Sequence, residues 1–128
     1  MSVGIVDTTV IFHIFRRNPD ALAWYATQTT TLSITPITWL ETIYGARGGK
    51  AGQAAQINLL NRFELVYLRR ADWKWTMQQL RQYRLSHGVA TNDCLIASVA
   101  HRLQIPLYTD NIKHMQVVLP SHLVVKPY

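Results

Sequence analysis

The sequence is poor in cysteine, in acidic residues and in long apolar runs. A single cysteine, Cys94, among 128 residues excludes an internal disulfide and a cysteine-based zinc cluster. No stretch is long and apolar enough to span a bilayer. The first ten residues do not read as a signal peptide, because Asp7 interrupts the apolar run and no basic residue precedes it. A cytoplasmic protein without a membrane segment is the expectation. Repeats, linkers and low-complexity tracts are absent as well. The length suffices for one core and not for two, so residues 1–128 are expected to form one domain.

Seven acids stand against 13 lysines and arginines, a net charge of +6. Such a surface suits a polyanion such as RNA or DNA, an acidic protein partner, or plain solubility. Three acids have ordinary explanations. Asp20 follows Asn18-Pro19 at a helix start, where a carboxylate favours the helix dipole. Glu64 begins a strand beside a turn. Asp72 precedes Trp73-Lys74-Trp75 and is expected to be an N-cap. The other four, Asp7, Glu41, Asp93 and Asp110, each sit at the edge of an apolar element. That placement suits a cation site.

Residues 3–7 read as a buried strand that ends in Asp7, and residues 8–16 as a short helix. After the break at Asn18-Pro19, a helix from Asp20 to Gln28 turns Leu22, Tyr25 and Ala26 to one side. Residues 31–35 are the second strand. Thr35 caps the next helix and Pro36 opens it. Ile37, Leu40, Ile43 and Tyr44 are its apolar stripe, and Gly48-Gly49 ends it. A helix from Lys50 to Arg62 follows, with Ala54, Ile57, Leu59 and Leu60 inward. Residues 64–68 are the third strand, and a helix from Trp73 to Ser86 ends at Gly88. Thr91 or Asn92 caps the helix Asp93 to Gln104, whose stripe is Leu95, Ile96, Val99 and Leu103. Residues 106–109 are the fourth strand with Asp110-Asn111 at its tip, 111–116 a turn of helix, and 122–126 the last strand. Strands alternating with helices predict an α/β fold, with a mainly parallel sheet and helices on both faces.

In such sheets, sites form beyond the carboxyl ends of the strands. If strands one, two and four are neighbours, Asp7, Glu41, Asp93 and Asp110-Asn111 converge on one edge. Like charges gathered there repel unless a cation balances them. Oxygen-only ligation suits Mg²⁺ or Mn²⁺. Such an ion lowers the pKa of a bound water and stabilises charge growing on a phosphate.

Four stretches carry a resemblance. They are Ile5-Val6-Asp7-Thr8-Thr9-Val10-Ile11, Ile37-Thr38-Trp39-Leu40-Glu41-Thr42-Ile43-Tyr44-Gly45-Ala46, Asn92-Asp93-Cys94-Leu95-Ile96-Ala97-Ser98-Val99-Ala100 and Leu107-Tyr108-Thr109-Asp110-Asn111-Ile112-Lys113-His114-Met115. In this order and at these separations the chain resembles a PIN domain, in particular a VapC-type toxin of a toxin–antitoxin pair. The resemblance spans essentially the whole chain. It implies a five-stranded sheet in the order 3-2-1-4-5 and a Mg²⁺- or Mn²⁺-dependent endoribonuclease. A cognate antitoxin protein and a homodimer are also implied.

Position by position, Asp7, Glu41 and Asp93 match the family's acids. The family's fourth position, two residues after a threonine, falls on Asn111, counted from Thr109; Asp110 adjoins it. Thr9 stands where the family often has Asn or Ser, and its hydroxyl can still bond a carboxylate. The resemblance implies that Asp7, Asp93 and either Asn111 or Asp110 hold the metal, while Glu41 orients or deprotonates the attacking water. Water attacks phosphorus in line and the 3′ oxygen leaves, giving a 5′-phosphate and a 3′-hydroxyl.

Arg16, Arg17, Arg47, Lys50 and Lys113 are candidate RNA contacts, or equally scattered solubilising charge. Trp73 and Trp75 lie two apart on a helix and cannot share a face. His114 is read as a turn residue near the fourth strand, and Cys94 as a small packing residue. A signalling receiver domain needs an acidic pair after the first strand, and a haloacid-dehalogenase phosphatase needs a second Asp where Thr9 stands. Neither requirement is met. The rival with most support is a PIN-like protein that binds RNA or a partner without cutting, since Asn111 replaces an acid.

Overall fold

Ile5 and Val6 have no exposed surface and form the central strand β1 (Ile5–Val6) of a computed structural model that describes residues 3–128. Successive strand residues point to opposite faces. Ile5 therefore joins one apolar cluster, with Ile96, Val99, Leu107 and Met115. Val6 joins the other, with Val10, Ile11, Ile34 and Leu60. This two-sided burial is the reason β1 is apolar throughout.

After β1 the chain forms α1 (Thr8–Phe15), α2 (Pro19–Ala26), β2 (Ser33–Ile34), α3 (Pro36–Tyr44), α4 (Gly49–Leu60) and β3 (Glu64–Leu65). Then come α5 (Arg70–His87), α6 (Thr91–Leu103), β4 (Leu107–Tyr108), α7 (Ile112–Val118), a short 3₁₀ turn and β5 (Val124–Val125). Every strand pairing is parallel, and the sheet order is β3-β2-β1-β4-β5. The predicted fold class and strand order are as observed. Parallel pairing sends every strand's carboxyl end to one edge. β1, β2 and β4 are neighbours there, so Asp7, the start of α3 and Thr109 meet.

Local chemistry sets several helix ends, with Thr35 and Gly88 in their expected roles. Thr35 caps α3, accepting from the Thr38 N–H at 3.4 Å, and Asn18 caps α2. Gly88 ends α5 with φ +66°, a conformation glycine adopts without steric cost.

Several expectations are corrected. Asp72 is the third residue of α5, not its cap. Its Oδ2 accepts from the Arg69 N–H at 2.8 Å, and Arg102 Nε donates to its Oδ1 at 2.9 Å. It is buried, and it ties α5 to α6. α6 starts at Thr91 behind Ala90, so neither Thr91 nor Asn92 is its cap. All five strands are two residues long, shorter than predicted, because only those residues pair with a neighbour. α3 ends at Gly45, ahead of the predicted glycine pair.

The apolar stripe of α3 is also misplaced. Leu40 and Tyr44 are 58% and 95% exposed, while Thr38 and Thr42 are buried. Thr42 Oγ1 donates to the Thr38 carbonyl at 2.8 Å, so the hydroxyl is satisfied within the helix. Small side chains let α3 pack closely on α1 and α6. On α4, Ala54 is exposed and Gln56 is buried.

Candidate active site

Asp7 stands at the carboxyl end of β1, buried and held by three donors. Thr109 Oγ1 donates to its Oδ2 at 2.7 Å and Thr9 Oγ1 to the same oxygen at 3.1 Å. The Thr8 N–H donates to its Oδ1 at 2.8 Å. Thr109 in turn accepts the Asn111 N–H at 2.9 Å, which fixes the β4–α7 turn against Asp7. The Thr9 hydroxyl thus bonds a carboxylate, as its position allowed, and Thr109, from which the fourth position is counted, bonds the same oxygen.

Glu41 reaches the same edge from α3. Thr8 Oγ1 donates to its Oε1 at 2.7 Å and lies 3.0 Å from Thr38 Oγ1. Asn92 Nδ2 donates to its Oε2 at 3.3 Å from the first turn of α6. Asp93, the next residue, accepts from Asn111 Nδ2 at 3.1 Å. The oxygen of the Asn111 amide lies 3.0 Å from a ring nitrogen of His114, one helical turn along α7.

The carboxylates are close enough to feel one another. Burial pushes the Asp7 carboxyl above its usual range against its three hydrogen bonds, and repulsion from Glu41 adds to the rise. Asp93 is pushed up to about 6, first by burial and then by Asp7 and Glu41; His114 and the Asn111 bond pull the other way. Burial, with Asp93 next to it, pushes the Cys94 thiol up to about 11, so this buried residue is an inert packing group as expected.

Among the described residues the ion pairs are Arg102–Asp72 and Lys126–Asp110, so no lysine or arginine neutralises Asp7, Glu41 or Asp93. Nor do three His, Cys, Asp or Glu side chains among the described residues already form a ready coordination cluster. Mg²⁺ needs none. It keeps several waters and binds through one or two carboxylates. Oxygen donors and mutual repulsion, with no lysine or arginine paired to these acids among the described residues, fit such an ion.

Asp110 and Asn111 part company in the structure. The Asp110 carboxylate is exposed and lies 3.8 Å from Lys126 Nζ, whereas the Asn111 side chain touches Asp93. Among the candidate RNA contacts, Lys113 lies in the first turn of α7, two residues from Asn111. Arg16 and Arg17 follow the far end of α1, with the Arg16 guanidinium 5.5 Å from the Phe12 ring centroid. Arg47 and Lys50 are exposed around the α3–α4 connection.

Sequence reasoning gave no place at the site to Thr8, Thr38 or Asn92, all of which flank Glu41. The signal was there for Thr8 and Asn92, short polar residues adjoining acids at element starts. Thr38 is recognisable only once α1 and α3 are packed together. His114 is not a turn residue against the fourth strand; it is exposed on α7 and touches Asn111.

Beside Glu41 an open groove of about 580 Å³ is lined by Phe12, Trp39, Leu40, Ile43, Tyr44 and Asn92. It is mostly apolar, with Glu41 at its rim.

The profile of the PIN domain family matches residues 4–117, so the chain belongs to that family, a family of nucleases. Solved structures share the fold. A toxin–antitoxin complex from Klebsiella pneumoniae superposes with TM-score 0.80 at 21% identity, covering 98% of each chain. DNA-bound VapBC from Salmonella typhimurium gives 0.77 at 23%, again over 98% of each. VapBC2 from Rickettsia felis, bound to a promoter DNA fragment, gives 0.76 at 22%, over 95% of this chain and 96% of that one. No curated protein sequence matches significantly.

Proposed function

We propose that the chain is a divalent-metal-dependent endoribonuclease acting as the toxin of a toxin–antitoxin pair. The observation that carries this is the gathering of three carboxylates, Asp7, Glu41 and Asp93, at one sheet edge, where Glu41 pushes the Asp7 pKa up, Asp7 and Glu41 push that of Asp93 up, and no lysine or arginine among the described residues pairs with them. The PIN fold supports a nuclease, and the toxin–antitoxin complexes that share it support the toxin role. One PIN-like domain over residues 1–128, acting on RNA in the cytoplasm as a homodimer, belongs to the same proposal.

Asp7 and Asp93 would hold the ion, Mg²⁺ or Mn²⁺. Asn111 orients Asp93 through its amide nitrogen, or reaches a water through its oxygen. When bound, the cation acidifies a coordinated water and offsets charge on the phosphoryl oxygens. Thr109, Thr9 and the Thr8 N–H fix the Asp7 carboxylate. Thr8 and Asn92 each hold one Glu41 oxygen, so this carboxylate is positioned to orient the attacking water and accept its proton. The nucleophile and the leaving 3′ oxygen then lie on opposite sides of phosphorus. The apolar groove beside Glu41 suits an amphipathic antitoxin tail, with a basic side chain reaching the acids.

Incubation of total RNA with the purified chain and Mg²⁺ or Mn²⁺, beside an EDTA control, tests this. Cleavage with 5′-phosphate ends is expected only with metal. Glu41→Gln and Asp7→Asn should each lose about 10²-fold or more in rate. Full cleavage by either variant, or in EDTA, would sink the scheme. Binding without cutting at any metal concentration would favour the non-cutting rival, which the amide at Asn111 keeps open.

A further inference from the structure

The solvent face of α5 carries charge and apolar surface that the site does not use. At about 100° per residue, Arg70, Lys74, Arg81 and Arg84 fall on one side of this 18-residue helix. Trp73, Met77 and Leu85 fall on the same side and are 50%, 68% and 100% exposed. The stripe runs the whole helix, roughly 27 Å at 1.5 Å per residue. Its only acid, Asp72, is on the opposite side, buried against Arg102. The exposed acids Asp20, Glu64 and Asp110 lie on or beside other elements.

The helix leads to the site. α5 packs antiparallel on α6: Asp72 bonds Arg102 near one end, while Gly88 to Ala90 join the other end to Thr91. Arg84 Nη1 donates to the Gly88 and Val89 carbonyls at 3.0 and 3.1 Å, which pins this junction. Asn92 and Asp93 follow directly. The last turns of α5 therefore stand beside the acidic edge of the sheet, and the stripe extends away from it.

We propose that this face is the docking strip for the RNA strand outside the cleavage point. The cations take phosphates and the Trp73 indole takes a base. The proposal rests on the ribonuclease reading above. Two observations favour RNA over other occupants. A symmetric contact between two copies would set four cations against four, on a chain of net charge +6. Continuity with the acidic edge suits a strand already engaged there better than a separate acidic protein.

The test is anisotropy titration of a short labelled single-stranded RNA against the full chain in EDTA, over a series of KCl concentrations. The variants are Lys74→Gln/Arg81→Gln and Trp73→Ala, with circular dichroism melts to confirm folding. The double variant should bind about tenfold or more weakly, with the slope of log K against log salt reduced by about 1.4. Trp73→Ala should bind about tenfold more weakly with the slope unchanged. Unchanged affinity and slope in both would overturn the strip. So would displacement of the RNA by polyglutamate at equal charge, or a change of oligomeric state in Trp73→Ala. Cleavage of RNA by the wild type with Mg²⁺ is scored separately. A chain that never cuts yet shows strip-dependent binding loses the nuclease reading and keeps the strip. A chain that cuts while the strip variants bind normally loses the strip alone.

Discussion

Asp93 shows how one carboxylate can serve a site at the expense of the fold. Its pKa of about 6 lies above the 3.8 of a free carboxyl. Folding therefore favours the protonated form. The stability this group lends is complete below pH 3.8 and is lost as pH rises through about 6. In EDTA at pH 7, Asp93→Asn should raise Tm by about 2–5 °C. The gap should close toward pH 4. The Asn111 bond survives the change, because an amide oxygen still accepts. Thermal melts across pH check this, and a lower Tm for the variant at pH 7 would contradict it. With metal present the dependence reverses in consequence. The proposed ion would need the ionised carboxylate, so on that proposal the metal concentration for half-maximal cleavage should rise as pH falls below about 6.

At the scale of elements, α5 and α6 are joined by a buried ion pair. Asp72 is 2% exposed and Arg102 18% at the side chain. Removing the arginine leaves a buried carboxylate without its partner. Arg102→Ala should cost about 3 kcal/mol in urea unfolding, and adding Asp72→Asn should recover part of it. An Arg102→Ala variant as stable as wild type would show the pair contributes nothing. α3 offers a different lesson. Its i, i+3, i+4 apolar pattern suggested Leu40 and Tyr44 as the buried face, but Thr38 and Thr42 fill that place. A threonine that bonds its own helix carbonyl is cheap to bury, and its size permits close helix approach. The displaced apolar residues line the groove beside Glu41.

At the scale of the whole molecule, an acidic pocket sits in a basic protein. The net charge of +6 attracts a phosphate backbone, while the acids repel it until a cation binds. Cleavage at subsaturating RNA should therefore fall at least about tenfold between roughly 50 and 200 mM KCl. Initial rates over a salt series measure this, and a flat profile would mean the basic surface does not guide the substrate.

The order and type of the elements, and the placing of Asp7, Glu41 and Asp93, were legible in the chain. Strand and helix periods are local, and an acid ending a buried strand is costly enough to stand out. The role of Asp72 was not legible, because capping and pairing with Arg102 call for the same residue, and the two lie 30 positions apart. Asp110 and Asn111 are adjacent, and composition cannot separate them; the turn held by Thr109 sends one to Lys126 and the other to Asp93. Likewise, Thr38 comes to lie beside Thr8 only when α1 and α3 pack together. Acid identity and strand period are properties of short segments. Which oxygen faces which donor depends on packing between segments far apart in sequence, and this packing exists only in the folded chain.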